Sequence, residues 1–525
     1  MMKLRIIDEN TWLFPDTEPA AAQTTEALLA RNGHTGVQLW TDRSSDRVRV
    51  EFSLPEGIGA RVYQMLPTRV EANSGAKTHT ASDYSEVCDF VTHRAPFEVY
   101  DITAPLHAEA LRGTGSLEAP LKRGPVVLFV RLEAAKDMAP VRGRISMRLE
   151  AGGEAAGAEL PVEVVGARVP ELSREGFGIV NWLKLEEICA LHQVEMDSPA
   201  FWRIVDAYLD NQLELRSNHL MLPGGQPVRD ARGRVEGFDF SRCRRLGEMA
   251  EKKGFSCLYG GFVAHWIHWQ DAEIMLLWDR AVDVTSREGY RQLKLYFTGL
   301  WELVAQMNWQ SQWMQCLVDE PQFANSAAYR ILSDICRKCM PGVTIHDPVE
   351  TYEIGGATDV WCLKQAQFDQ YRAIWKELQG MGERLWVYTC GFPAGKVMNR
   401  ATDLPLLAGR LPFWLCAREG FEGFLHWGYN AWNGRDPVKY NCWNEENYLL
   451  PPGNGFIVYP GKDGPVNSLR AQIQLFGAED CELLRQLPEE EIHRLCGKLC
   501  TDFSQYVTDV KTFAQVRREL LHSVR

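Results

Sequence analysis

The sequence predicts a two-domain protein, with an N-terminal β-sandwich over residues 1–170 and a (β/α)8 barrel with C-terminal helices over 171–525. Three observations carry that expectation. The chain has 525 residues, more than one compact domain holds at ~150 residues per domain. Up to about residue 165, apolar and polar residues alternate with period two between Gly, Pro and Ser-rich turns, as in half-buried antiparallel strands. Beyond residue 175, short apolar runs alternate with long helical patterns, which is how a parallel sheet under covering helices reads.

In the first part, Val48 to Leu54, Val126 to Leu132 and Ile145 to Leu149 alternate cleanly, and Val162 to Val165 reads as the last strand. In the second, eight runs read as barrel strands: Gly178–Trp182, His219–Leu222, Cys257–Phe262, Cys316–Glu320, Val343–Asp347, Asp359–Leu363, Leu385–Cys390 and Phe424–Gly428. Helical patterns fall between them at Phe201–Leu215, Gly289–Met307, Ser326–Cys339 and Phe368–Gly380. The segment Cys481 to Arg525 reads as helix and is expected on the barrel exterior.

Composition narrows the function. With 57 Lys and Arg against 69 Asp and Glu, the net charge of −12 opposes nucleic acid or an anionic membrane as the main partner. No apolar run approaches the ~20 residues of a membrane helix, and Asp8 and Glu9 interrupt the start before any signal-like stretch. A cytoplasmic protein with its fourteen cysteines reduced is therefore expected. Cys336/Cys339 and Cys496/Cys500 have suggestive spacings, but each pair lies in a helical pattern and four convergent zinc ligands are not in view. No metal and no cofactor is expected. Phosphate-loop, zincin, hydrolase-elbow and dinucleotide motifs are all missing from the sequence.

A barrel carries its chemistry at the C-terminal ends of its strands. There the fourth run ends in two adjacent acids, Asp319 and Glu320, followed by Pro321. Barrel packing does not call for two carboxylates at that position, and buried acids are costly unless paired or used. A conventional glycosidase needs its two carboxylates about 5 Å or about 6.5–9.5 Å apart across the sugar. Neighbours in sequence approach from one side. One acid can then protonate the leaving oxygen while the other orients a nucleophile belonging to the substrate, such as a 2-acetamido carbonyl. Trp361, Tyr388, Trp427 and Trp432 offer flat faces for a pyranose, and the 17 tryptophans are a high count. Asn430, His265 and Arg216 are further candidates for contacts to the sugar, although Arg216 precedes a strand and so belongs to the stability face of a barrel. His346 and Asp347 end the fifth run as another polar pair.

Leu317-Val318-Asp319-Glu320-Pro321, Leu385-Trp386-Val387-Tyr388, the run Gly423 to Trp432, Ser468-Leu469-Arg470 and Gly477 to Asp480 resemble glycoside hydrolase family 123, over about Gly176 to Leu484. The resemblance implies a β-sandwich before a (β/α)8 barrel, and an exo-acting N-acetyl-β-galactosaminidase working with retention through an oxazoline. It implies Glu320 as general acid/base and Asp319 as partner of the acetamido N–H. Tyr388 would meet the acetamido carbonyl, and Trp361, Trp427 and Trp432 would wall the sugar pocket. The partner is then an oligosaccharide or glycoconjugate, and a β domain packed on a barrel offers a surface for a homodimer. Two other readings stay open from the residues alone. One is a conventional glycosidase pairing Glu320 with Asp347, Asp359 or Glu419; the other is a non-catalytic carbohydrate-binding protein.

Overall fold

The computed structural model describes residues 1–20, 26–76, 80–81, 84–442 and 450–524. Its N-terminal part is built on two long antiparallel strands, His34–Ser53 and Thr114–Ala134, paired in a register that sets Val37 opposite Val130 and Val50 opposite Leu117. Leu4–Asp8 and Val141–Ala151 add to the first of these, and the last strand is Glu154–Arg168. The nine described strands belong to one hydrogen-bonded sheet, so the pairing does not establish the two separate sheets of a sandwich. Period-two alternation still does its expected work. Leu128, Val130, Leu149 and Val162 fill one apolar core, while Val127, Phe129, Tyr63 and Met65 turn the other way and join the core of the barrel.

Eight parallel strands then close into a barrel: Gly178–Asn181, His219–Leu222, Cys257–Gly260, Trp313–Gln315, Thr344–Val349, Val360–Lys364, Arg384–Thr389 and Gly423–His426. The first pairs with the eighth, Val180 opposite Leu425. Inside, the rings of His219, Tyr259, His346 and Trp386 pack edge to face. Trp386 fills the space that glycines of the eighth and first strands leave, since a Cβ on Gly178 or Gly423 would stand 2.3 Å from its ring. Trp386 is therefore barrel filling. Cys336 lies against Met340, and Cys496 Sγ donates to the Trp414 carbonyl at 3.4 Å, while Cys500 opens a short strand, Cys500–Asp502, rather than continuing the helix as expected.

The C-terminal segment is not helix throughout, because short strands Cys500–Asp502 and Gln505–Tyr506 interrupt it. Its helices pack between the outer barrel helix Leu407–Glu419 and the N-terminal sheet. Leu469–Leu484 is buried along its whole length, and Val510–Ser523 crosses to the N-terminal sheet, where Arg517 donates to the Leu28 carbonyl and Arg518 to Glu163. Charge explains the path. Asp480, fully buried, accepts from Arg410 Nε at 2.8 Å, Arg517 Nε at 2.9 Å and Trp414 Nε1 at 3.1 Å, while Arg410 also donates to Glu9 at 3.0 Å. Burial alone would raise the Asp480 carboxyl, yet the two guanidiniums hold it below the usual range. Asp480→Asn leaves both guanidiniums buried without their shared anion, and should cost about 3–5 kcal/mol in urea unfolding. A loss under 1 kcal/mol would show that water reaches this cluster.

Candidate active site

The paired acids lie beyond the fourth strand rather than on it, because pairing ends at Gln315 and the chain runs on against the neighbouring loop. Val318 bridges to Ala264, and Leu317 N–H donates to Asp347 Oδ1 at 2.8 Å. Glu320 then adopts φ +52, a left-handed conformation that a non-glycine residue takes at a cost. Two backbone bonds fix the turn, Glu320 N–H to Pro348 O and Glu350 N–H to Pro321 O, each 3.1 Å. The second brings in a third carboxylate, Glu350.

Glu320 Oε1 accepts from the Tyr388 hydroxyl at 2.5 Å and from Lys364 Nζ at 3.2 Å. Lys364 bonds Glu350 Oε1 as well, and Gln367 Nε2 donates to Glu350 Oε2 at 3.0 Å. Burial opposes the Lys364 charge, but the acidic groups around it, Cys390, Glu320 and Glu350, hold its ammonium well above the ordinary lysine range. Asp319 is half-buried, and the loss of solvent around it, followed by the charge of Glu320, pushes it up to about 7 against the pull of Lys184 and Lys364. Lys184 is itself pushed down by burial.

The sequence-derived candidates divide. Tyr388 and Trp427 share one apolar cluster at the strand ends with Trp182 and Phe262, and Trp427 Nε1 donates to Asn454 Oδ1 at 3.1 Å. His265 faces Glu320, with Nδ1 2.8 Å from the Trp266 carbonyl, and burial pushes its imidazole down. Asn430 touches the site indirectly. Its Oδ1 accepts from Lys184 N–H at 2.8 Å and its Nδ2 donates to Lys184 O at 3.0 Å, which pins the segment that presents Lys184 to Asp319.

Three candidates fall outside the pocket. Trp361 points out of the barrel, against Trp375, with Nε1 on Glu383 at 2.9 Å. Trp432 is buried against Tyr208 and donates to the Val458 carbonyl. Arg216 donates to the Pro170 carbonyl at 3.0 Å and faces Glu482, at the opposite end of the barrel. Arg470 is likewise structural, bonding Asp101 and three carbonyls.

Sequence reasoning missed Trp182, Lys184, Glu350 and Lys364. At the rim it also missed Trp269 and Phe392, 50% and 47% exposed, whose ring centres lie 5.8 and 5.9 Å from Lys364 Nζ. The other acids are engaged elsewhere. Asp347 accepts from Tyr329 and Leu317, Asp359 from Arg337 and the Ile345 N–H, and Glu419 pairs with Arg372 and Lys376. Among the described residues no group of three or more His, Cys, Asp and Glu is arranged to hold a metal. No described helix is long and apolar enough to cross a membrane.

The family model described as "Glycoside hydrolase 123, catalytic domain" matches residues 182–487. Among solved structures, a family 123 glycoside hydrolase from Clostridium perfringens, studied for glycolipid glycan hydrolysis, superposes with a TM-score of 0.71. It is 12% identical, and the match covers 100% of this chain and 98% of that one. An endo-β-1,4-mannanase from Thermotoga petrophila matches at a TM-score of 0.36 and 12% identity, over 59% of this chain and 77% of that one. A comparison with curated proteins found no match.

Proposed function

Because this chain belongs to glycoside hydrolase family 123, we propose that it is an exo-acting retaining enzyme that releases terminal β-linked N-acetylgalactosamine through an oxazoline intermediate. The observation that carries the reading is that Asp319 and Glu320 are neighbours beyond the fourth strand and both feel Lys364, while Asp347, Asp359 and Glu419 are each held by other partners. Glu350, the remaining acid nearby, is tied to Lys364 beside Glu320 and does not face it across a sugar. A pocket whose acids all come from one side needs its nucleophile from the ligand.

In the first step Glu320 gives its proton to the glycosidic oxygen as the C1–O bond breaks, and the acetamido oxygen bonds to C1. Asp319, as carboxylate, accepts the acetamido N–H and faces the positive charge that spreads over the new ring. In the second step Glu320 takes a proton from water, whose oxygen bonds to C1 as the ring reopens. Trp182, Phe262 and Trp427 supply the apolar wall. The natural substrate class is a glycan ending in a β-linked N-acetylhexosamine, and a glycolipid glycan is the first to try.

A set of 4-nitrophenyl glycosides tests this. Turnover is expected on the β-N-acetylgalactosaminide, with a thiazoline analogue as a tight inhibitor. Equal turnover of sugars lacking the 2-acetamido group would exclude the mechanism, and binding of intact glycan without release of sugar would make the protein a lectin. Trp269 has its ring centre 5.8 Å from Lys364 Nζ, which bonds the proton donor, so we assign it to the side of the leaving sugar. Trp269→Ala should therefore lose about 1 kcal/mol of an aromatic contact, or about fivefold in kcat/KM on an oligosaccharide. The thiazoline inhibition constant should not change; a matching loss there would assign Trp269 to the other side of the scissile bond.

A further inference from the structure

Glu350 and Lys364 have no part in the two steps above, yet their side chains are only 7% and 8% exposed and lie against the proton donor. Lys364 ends the sixth strand opposite Tyr388 of the seventh, so the register puts both on the inner face. Its ammonium and the Tyr388 hydroxyl both donate to Oε1 of Glu320. Only Oε2 is left to meet a leaving oxygen. Glu350, which clamps the ammonium, is itself held by Gln367 and by its backbone bond to Pro321, next in sequence to Glu320.

Charge adds a second constraint. Three acids, Asp319, Glu320 and Glu350, stand against two ammoniums, Lys184 and Lys364. The other titratable neighbours are pushed toward their neutral forms. Burial pushes Asp347, beside Asp319, and Tyr388 far up, burial pushes Cys390 up to about 12, and burial pushes His265 down. A neutral pocket thus keeps one proton among the three acids, and one proton is what the first step consumes.

We propose that Lys364, clamped by Glu350, is a positioning residue that fixes which oxygen of Glu320 faces the leaving group and sets the charge balance of the Asp319–Glu320 pair. This rests on the reading of Glu320 as proton donor. The ammonium acts through the acids and does not touch the sugar.

The test is the pH dependence of kcat/KM on an aryl β-N-acetylhexosaminide for Lys364→Met, Lys364→Arg and Glu350→Gln. Loss of the ammonium makes the neighbouring carboxyls harder to ionise, so the bell for Lys364→Met moves to higher pH by about one unit or more. Loss of the Glu350 charge makes them easier to ionise, so the bell for Glu350→Gln moves to lower pH. These limbs belong to the coupled pair rather than to either acid. Lys364→Met also lowers kcat about tenfold or more with little change in KM, as expected for a misplaced reacting group. Lys364→Arg keeps the charge and restores the position of the bell. A merely structural role would lower activity at every pH without moving the bell.

Bells that stay in place, or that move in the same direction in both charge-removing variants, would overturn the proposal. If Lys364→Met does not fold, the downward move in Glu350→Gln and its absence in Lys364→Arg decide the matter. Wild-type failure to release N-acetylhexosamine would sink the underlying reading instead. In that case ¹³C titration of the Asp319 carboxyl still decides the charge balance, with an upward shift in Lys364→Met and a downward one in Glu350→Gln expected.

Discussion

Replacing Glu320 by glutamine is expected to lower kcat/KM on an oligosaccharide by about 10³-fold, within the range that positioned proton transfer contributes. The amide can still accept from Tyr388 and Lys364, so the fold and the pocket should survive. What it cannot do is give up an acid proton. A 2,4-dinitrophenyl leaving group needs no such proton, so the first step on that substrate should be far less affected, and an oxazoline or a trapped product should accumulate before water attacks. Steady-state kinetics on the two substrates decide the outcome. An equal loss on both would mean that Glu320 supports the pocket rather than the leaving oxygen.

Asp319→Asn should cost about 10²–10³-fold in kcat, the scale of removing one group aimed at developing charge. KM should change little, because an asparagine carbonyl can still meet the amide N–H while providing no charge for the oxazolinium ion. The pH profile adds a sign. Burial, and then the charge of Glu320, push Asp319 up to about 7, and only its ionised form does the work proposed for it. Wild-type kcat/KM should therefore rise with pH through that region, and the acidic limb should vanish in Asp319→Asn. A limb that persists in the variant would belong to another group.

The eight strands were legible because each parallel strand is a compact apolar run between longer helical patterns, and the acids because two carboxylates interrupt such a run at its C-terminal end. Which face a strand residue takes was not legible. A strand buried on both sides has no period-two signal, so Trp361 and Cys362 look alike in sequence. The register resolves them. Lys364 stands beside Tyr388 and Cys362 beside Trp386, which turns Trp361 outward with Leu385.

Lys364 left a trace in the sequence, a lone cation closing an apolar strand at the catalytic end. Glu350 was missed because the fifth strand runs to Val349 rather than stopping at Asp347. Trp432 and Asn430 were misplaced for a different reason. The loop after the eighth strand folds back on a distant segment, Ala431 N–H to Gly455 O and Ile457 N–H to Tyr429 O, and local pattern carries no record of that return.

The ties between sheet and barrel bear on how such a protein can change over generations. Arg410 and Arg470 belong to the barrel half, yet Asp101, which neutralises Arg470, and Glu9, which shares Arg410 with Asp480, come from the N-terminal half. Recombination that exchanged one half for that of a distant homologue would strand the Arg470 guanidinium in the interior and leave Arg410 with Asp480 alone. The halves of this chain are therefore bound to be inherited together, and the barrel is not a portable module.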